Sequence, residues 1–138
     1  MSDVLLVQCE DGVFRVELED GEAEIAEYEA GESLPPRERP ADVVPAFALN
    51  QVVDLTACGP AVVLLLDRRP PLLVSNDGGQ TWNEAGGGLG AGKAVAFGAT
   101  PDRLVYAARN RLYLSTDGGR FWRALTVELP EINGVAWV

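Results

Sequence analysis

Apolar residues fall along most of the chain in runs of three to six, split by short polar turns rather than set at helical spacing. Val63-Leu64-Leu65-Leu66, Leu72-Leu73-Val74, Val95-Ala96-Phe97 and Leu112-Tyr113-Leu114 are such runs. Ala99-Thr100-Pro101-Asp102, Arg109-Asn110 and Asp117-Gly118-Gly119 separate them with residues suited to tight turns. The pattern predicts strands over 51–57, 61–67, 71–75 and 80–84, then over 93–98, 103–108, 111–115 and 120–125. These are lettered A to D in each set. Only the acidic stretch 22–30 is ambiguous between strand and helix.

The two sets are one pattern repeated. Ser75-Asn76-Asp77-Gly78-Gly79-Gln80-Thr81-Trp82 returns 40 residues later as Ser115-Thr116-Asp117-Gly118-Gly119-Arg120-Phe121-Trp122, and the flanking apolar runs follow without a gap. Four antiparallel strands about every forty residues predict an all-β chain of β-propeller blades. The ends continue the pattern. Val4 to Val7 and Val13 to Val16 resemble strands B and C, Glu19-Asp20-Gly21 a degenerate turn, 22–29 a strand D, and Val135 to Val138 a strand A. The expected order is BCD-ABCD-ABCD-A, about three blades per chain, completed by oligomerisation. As a single partial propeller of 1–138, the first blade's strands B–D occupy 3–30. An exposed Pro-rich loop spans 31–46, the second blade 50–90, the third 91–130 and a terminal A strand 132–138. Four prolines bar 31–46 from a central strand.

Composition narrows the chemistry. The chain has no histidine, and its two cysteines, Cys9 and Cys58, are not a CxxC pair. This disfavours a zinc site and a His-activated nucleophile, and no metal or cofactor is expected. The longest apolar stretch, Ala61 to Leu66, is far shorter than the roughly 20 residues of a membrane helix. The start MSDVLLVQCEDG lacks a basic segment, and with free thiols this leads to an expected cytoplasmic location without membrane insertion. The net charge of -10 resides in residues 1–42, where 13 acids meet only Arg15, Arg37 and Arg39; the remainder balances at eight and eight. Such a surface repels nucleic acid.

The motif S-x-D-x-G-x-T-W resembles the Asp-box of the BNR-repeat propellers. That superfamily includes sialidases, sortilin-type receptor domains, some glucan hydrolases and photosystem II assembly factors. Ser75, Asp77, Gly79 and Trp82 match it, as do Ser115, Asp117, Gly119 and Trp122, with Phe121 in the Thr place. The resemblance implies that the boxes lie on C–D hairpins, away from the ligand face, and are structural. Their residue types agree: Asp bonds turn N–H groups, and Gly takes positive φ.

A sialidase-like site would need an arginine triad, a Tyr–Glu pair and an acid. Phe14-Arg15-Val16 is only a faint echo of the first, so no catalytic residue is assigned. The B–C loops carry Arg68, Arg69, Arg109 and Arg111, and Lys93 follows the glycine-rich D–A loop. In a propeller these loops share one face. The expected function is a non-enzymatic module that recognises an acidic protein or peptide there, arginine forks suiting carboxylates. The alternatives are arginines that only balance surface charge, a purely structural subunit completing a larger propeller, and a carbohydrate-binding or glycosidase-like fragment. The expected partner is a second copy, forming a dimer that closes a six-bladed ring, with Asn133 to Val138 handed to the neighbour.

Overall fold

The computed structural model describes residues 3–19, 22–34, 44–48 and 51–137. They form twelve strands in three four-stranded antiparallel sheets. The second blade is β4 (Val52–Cys58), β5 (Ala61–Leu66), β6 (Leu72–Ser75) and β7 (Asn83–Ala85). The third is β8 (Ala94–Phe97), β9 (Leu104–Ala107), β10 (Arg111–Ser115) and β11 (Arg123–Glu128). The first joins β1 (Asp3–Cys9), β2 (Gly12–Glu19) and β3 (Glu22–Ala30) to β12 (Ile132–Trp137), in the order β12-β1-β2-β3. The chain is thus all-β, three blades of four antiparallel strands. The acidic stretch left ambiguous by its periodicity is the strand β3. In it Glu24, Glu27 and Glu29 lie opposite Glu17, Arg15 and Val13 of β2, with a register shift between Arg15 and Val16. Asp20, Gly21 and Val138 lie outside the described residues.

Both D strands begin later than predicted, at Asn83 and Arg123 rather than at 80 and 120. The box turn consumes the intervening residues. Gln80 and Thr81 donate their N–H groups to Asp77 Oδ1, so neither is free to pair with β6.

The expected gift of the last strand to a neighbour is not what the structure shows. β12 pairs with β1 of its own chain, Leu5 opposite Trp137 and Val7 opposite Val135. Only three residues, Leu129 to Glu131, separate β11 from β12. They set β12 beside the third blade, where the chain's own β1 offers an unpaired edge and a matching apolar face.

Blades pack through apolar layers. Ala61, Val63, Leu65 and Leu72 meet Val95, Leu104 and Tyr106 between the second and third blades. Ala94, Val105, Leu112 and Leu114 meet Leu5, Val7, Val16 and Val135 between the third and first. A third layer, on the outward face of the second blade, holds Leu55, Val62, Leu64, Leu66 and Leu73, covered by Val44 and by Ala48 of a 3-10 turn, Ala46–Ala48. The result is an arc running from second to third to first blade, with inner strands β4, β8 and β12 side by side.

The inner strands are also tied by polar bonds. Asp54, buried in β4, accepts the N–H of Leu55 at 2.9 Å and that of Val95 in β8 at 3.0 Å. Thr56 Oγ1 accepts the N–H of Phe97 at 3.1 Å. At the next joint Ala94 and Ala96 hold the equivalent places, and the Trp137 indole N–H donates to Ala96 O at 3.1 Å instead.

Candidate functional site: the loop face and the box face

Each box is a closed hydrogen-bond unit at one end of its blade. Ser75 Oγ donates to Asp77 Oδ1 at 2.7 Å and accepts the Gly79 N–H at 2.9 Å. Asp77 Oδ1 also takes the N–H groups of Gln80 and Thr81, and Oδ2 takes the Thr81 hydroxyl at 2.5 Å. Gly78 and Gly79 supply φ values of 72° and 96°, open to glycine and strained for other residues. Ser115, Asp117, Gly118 and Gly119 repeat the unit, without a hydroxyl at Phe121. The Thr81 hydroxyl and N–H, then Ser75, hold the Asp77 carboxyl down at about 2. The Asp117 carboxyl is lowered too, first by the Phe121 N–H and then by Ser115. Trp82 packs in the outward layer of the second blade, and Trp122 sits edge-on to Tyr106 with ring centroids 5.9 Å apart. Gly78 and Gly118 donate to Pro60 O and Asp102 O, so the A–B turns share the box face.

The B–C turns and D–A connections lie at the opposite end. Three of the five basic residues singled out there are matched with acids. Arg68 meets Glu84 at 3.1 Å, Arg111 meets Glu128 at 3.1 Å, and Arg109 meets Glu131 at 3.4 Å. Arg69 and Lys93 make no ion pair among the described residues, and both are exposed. Arg69 and Arg109 are repeat equivalents, yet they stand in different surroundings. Arg109 leans toward the acidic first blade, where the Glu10 N–H bonds Glu131 O at 3.1 Å. Arg69 borders a recess of about 210 Å³ lined by Leu66, Asp67, Arg68 and Leu89 to Gly92.

The glycine-rich loop beside this recess is pinned from below. The Tyr106 hydroxyl donates to Gly90 O at 2.5 Å, and burial pushes that hydroxyl up to about 12. A Cβ at Gly92 would stand 2.5 Å from the Tyr106 oxygen and 2.7 Å from Leu65 Cδ1. Glycine is the residue that lets the loop come this close. A larger cleft of about 610 Å³ opens between the second and third blades, lined by Asn76, Asn83, Glu84, Gly118, Gly119 and Arg120 among others.

Sequence reasoning missed the Tyr106 tether, the Asp54 bond and this cleft. A carboxylate inside Val52-Val53-Asp54-Leu55 is the one signal that pointed to any of them. The cleft depends on how two blades abut, which no single segment encodes.

Blades stacked around shared inner strands, box turns at one end and loops at the other define a β-propeller segment. The solved structure "YCF48 bound to D1 peptide" is similar, with a TM-score of 0.50 and 14% identity over 94% of this chain and 42% of that one. The crystal structure of the Niastella koreensis GH74 enzyme gives a TM-score of 0.49 and 19% identity, over 94% of this chain and 18% of that one. The likeness is one of fold alone, and the chain spans less than half of either protein. No protein-family model and no curated protein matches the sequence. No helix of the described residues is long and apolar enough to cross a membrane.

Proposed function

We propose that this chain is a non-enzymatic propeller module for binding and assembly, working in the cytoplasm. It takes an acidic protein or peptide segment on the loop face of its second and third blades. The observation that carries the reading is the recess beside Arg69. One exposed cation without an ion pair stands over a preformed, glycine-walled hollow, and Lys93 follows the same loop. A planar guanidinium presents its N–H donors to a carboxylate as a fork. The similar structure of YCF48 is bound to a peptide, and a peptide is the ligand class proposed here.

Hydrolysis of a glycoside asks for two carboxylates facing across a sugar. Here the Asp77 and Asp117 oxygens serve their turns, and Glu84, Glu128 and Glu131 are each held by an arginine. In the same reading a second copy of the chain completes the ring.

Fluorescence anisotropy with a labelled oligo-glutamate peptide tests the site. Arg69→Ala combined with Lys93→Ala weakens binding on the order of tenfold, two exposed charge contacts at about 0.5–1 kcal/mol each. Arg111→Ala, whose charge Glu128 already occupies, has a smaller effect. Equal affinity in the wild type and the double variant overturns the reading.

A further inference from the structure

The recess beside Arg69 and the cleft between the second and third blades are neighbours. Gly86 and Gly87 line the cleft, and Leu89 to Gly92, the continuation of the same loop, line the recess. Arg68 of the recess and Glu84 of the cleft are joined by their 3.1 Å ion pair. The two hollows therefore follow one another along the outer part of the second blade. β6 gives the direction. Arg69 comes before its first residue, Leu72, and Asn76 after its last, Ser75. Asn76 lines the cleft at the box turn, together with Arg120 of the third blade.

This path suits an extended chain. A Cβ added at Gly87, Gly88 or Gly90 meets nothing within 4 Å, so bare loop backbone faces open space between the hollows. Among the described residues β7 pairs with β6 alone and stands at the edge of its sheet. A peptide that runs along such an edge bonds it through its main chain. Asn76 and Asn83, both exposed, add carboxamides, which donate and accept as a peptide group does. Neither lining contains an aromatic ring, which leaves a saccharide without a stacking partner.

Charge decides which peptide fits. Arg69, with Lys93 after the loop, marks one end of the path, and Arg120 marks the other. All three are exposed and make no ion pair among the described residues. Of the two acids in the linings, Glu84 is matched by Arg68, and Asp67 belongs to the recess end. Arg120 was not among the basic residues singled out in the sequence, because it lies inside a box. Only the abutment of two blades brings it to the cleft.

We infer that one extended peptide occupies both hollows along β7, with an acidic residue at Arg69 and another at Arg120. This deepens the peptide site proposed above and rests on it. At ~3.3 Å per residue, about six residues of extended chain match the length of β6 with its flanking turns. Selectivity then lies in the spacing of two acids rather than in total charge.

Two labelled peptides of equal length test this by fluorescence anisotropy. One has a Glu-Glu pair at each end, separated by Ser-Thr repeats; the other keeps one pair and has serines in place of the second. Arg120→Ala weakens the two-ended peptide about two- to fivefold, the worth of one exposed charge contact, and leaves the one-ended peptide unchanged. Gly87→Trp fills the path between the hollows without backbone strain, since Gly87 has no positive φ. It too weakens the two-ended peptide alone. Both residues are exposed, and the thermal melts of both variants match the parent's. Equal affinity for the two-ended peptide in the parent, Arg120→Ala and Gly87→Trp overturns the inference and leaves the loop-face site standing. If Arg69→Ala with Lys93→Ala changes neither peptide, the loop-face reading itself has failed, and the single groove falls with it. A loss through Arg120→Ala that the Arg69→Ala, Lys93→Ala variant does not share puts the peptide in the cleft alone, which also overturns the single groove.

Discussion

Asp77 and Asp117 hold the same place in the repeat, but their neighbours differ by one hydroxyl. Asp77 bonds both the N–H and the side chain of Thr81; at the second box Phe121 gives only its N–H and leaves its ring 78% exposed. Asp77→Ala and Asp117→Ala each lower the thermal midpoint, because turn N–H groups lose their acceptor. Phe121→Thr raises it by completing the second box. The Asp77 carboxyl falls from 3.8 to about 2 on folding. The stability it contributes is therefore whole above about pH 4 and is lost as pH falls through about 2. Melting curves over that range slope less in Asp77→Asn than in the parent; equal slopes refute the assignment. The hydrogen bonds of Ser75, Asp77 and Gly79, and of Ser115, Asp117 and Gly119, stay within four residues, which is the kind of contact a short motif can signal.

The strands β5, β6, β8, β9 and β10 were legible because they are short apolar runs bounded by turns that carry Gly, Pro and Asp. The D strands were misplaced by about a turn's length, since spacing alone does not show that a side chain has claimed Gln80 and Thr81. The bonds between inner strands were hidden for a similar reason: Asp54 and Val95 are far apart in sequence. Asp54→Ala removes a carboxylate that accepts the Leu55 and Val95 N–H groups, a loss on the order of 1–3 kcal/mol. Chemical denaturation of Asp54→Ala and Thr56→Val checks this, with the larger loss expected for Asp54. A loss no greater than that of Asp102→Ala, an exposed turn residue, would show that the tie between β4 and β8 carries little energy.

At the scale of the whole molecule, charge is divided by blade. The first blade carries most of the acids, and the loop end of the other two carries four of their seven arginines. The repeat alone put Arg68, Arg69, Arg109 and Arg111 on B–C turns, whereas Arg111 is the first residue of β10, opposite Glu128. It could not foretell that Glu84, Glu128 and Glu131 would take three of them, because each pairing crosses between strands or blades. The surplus that remains is local, at Arg69 and Lys93. Raised salt therefore weakens the proposed peptide capture through screening while leaving the fold intact. Far-ultraviolet circular dichroism alongside the binding titration separates the two effects.

Cys9 lies in the apolar layer between the first and third blades, beside the register break where β12 meets β1. Burial first, then Asp11 and Glu10, pushes its thiol up to about 11. Cys58, at the end of β4, is only half-buried. The chain thus contains a native chemical clock. Alkylation at neutral pH modifies Cys58 first, and Cys9 only when β12 lifts away, so its rate, read by mass spectrometry, reports how often that strand leaves. Comparable rates at the two thiols would mean that the β1–β12 seam opens freely.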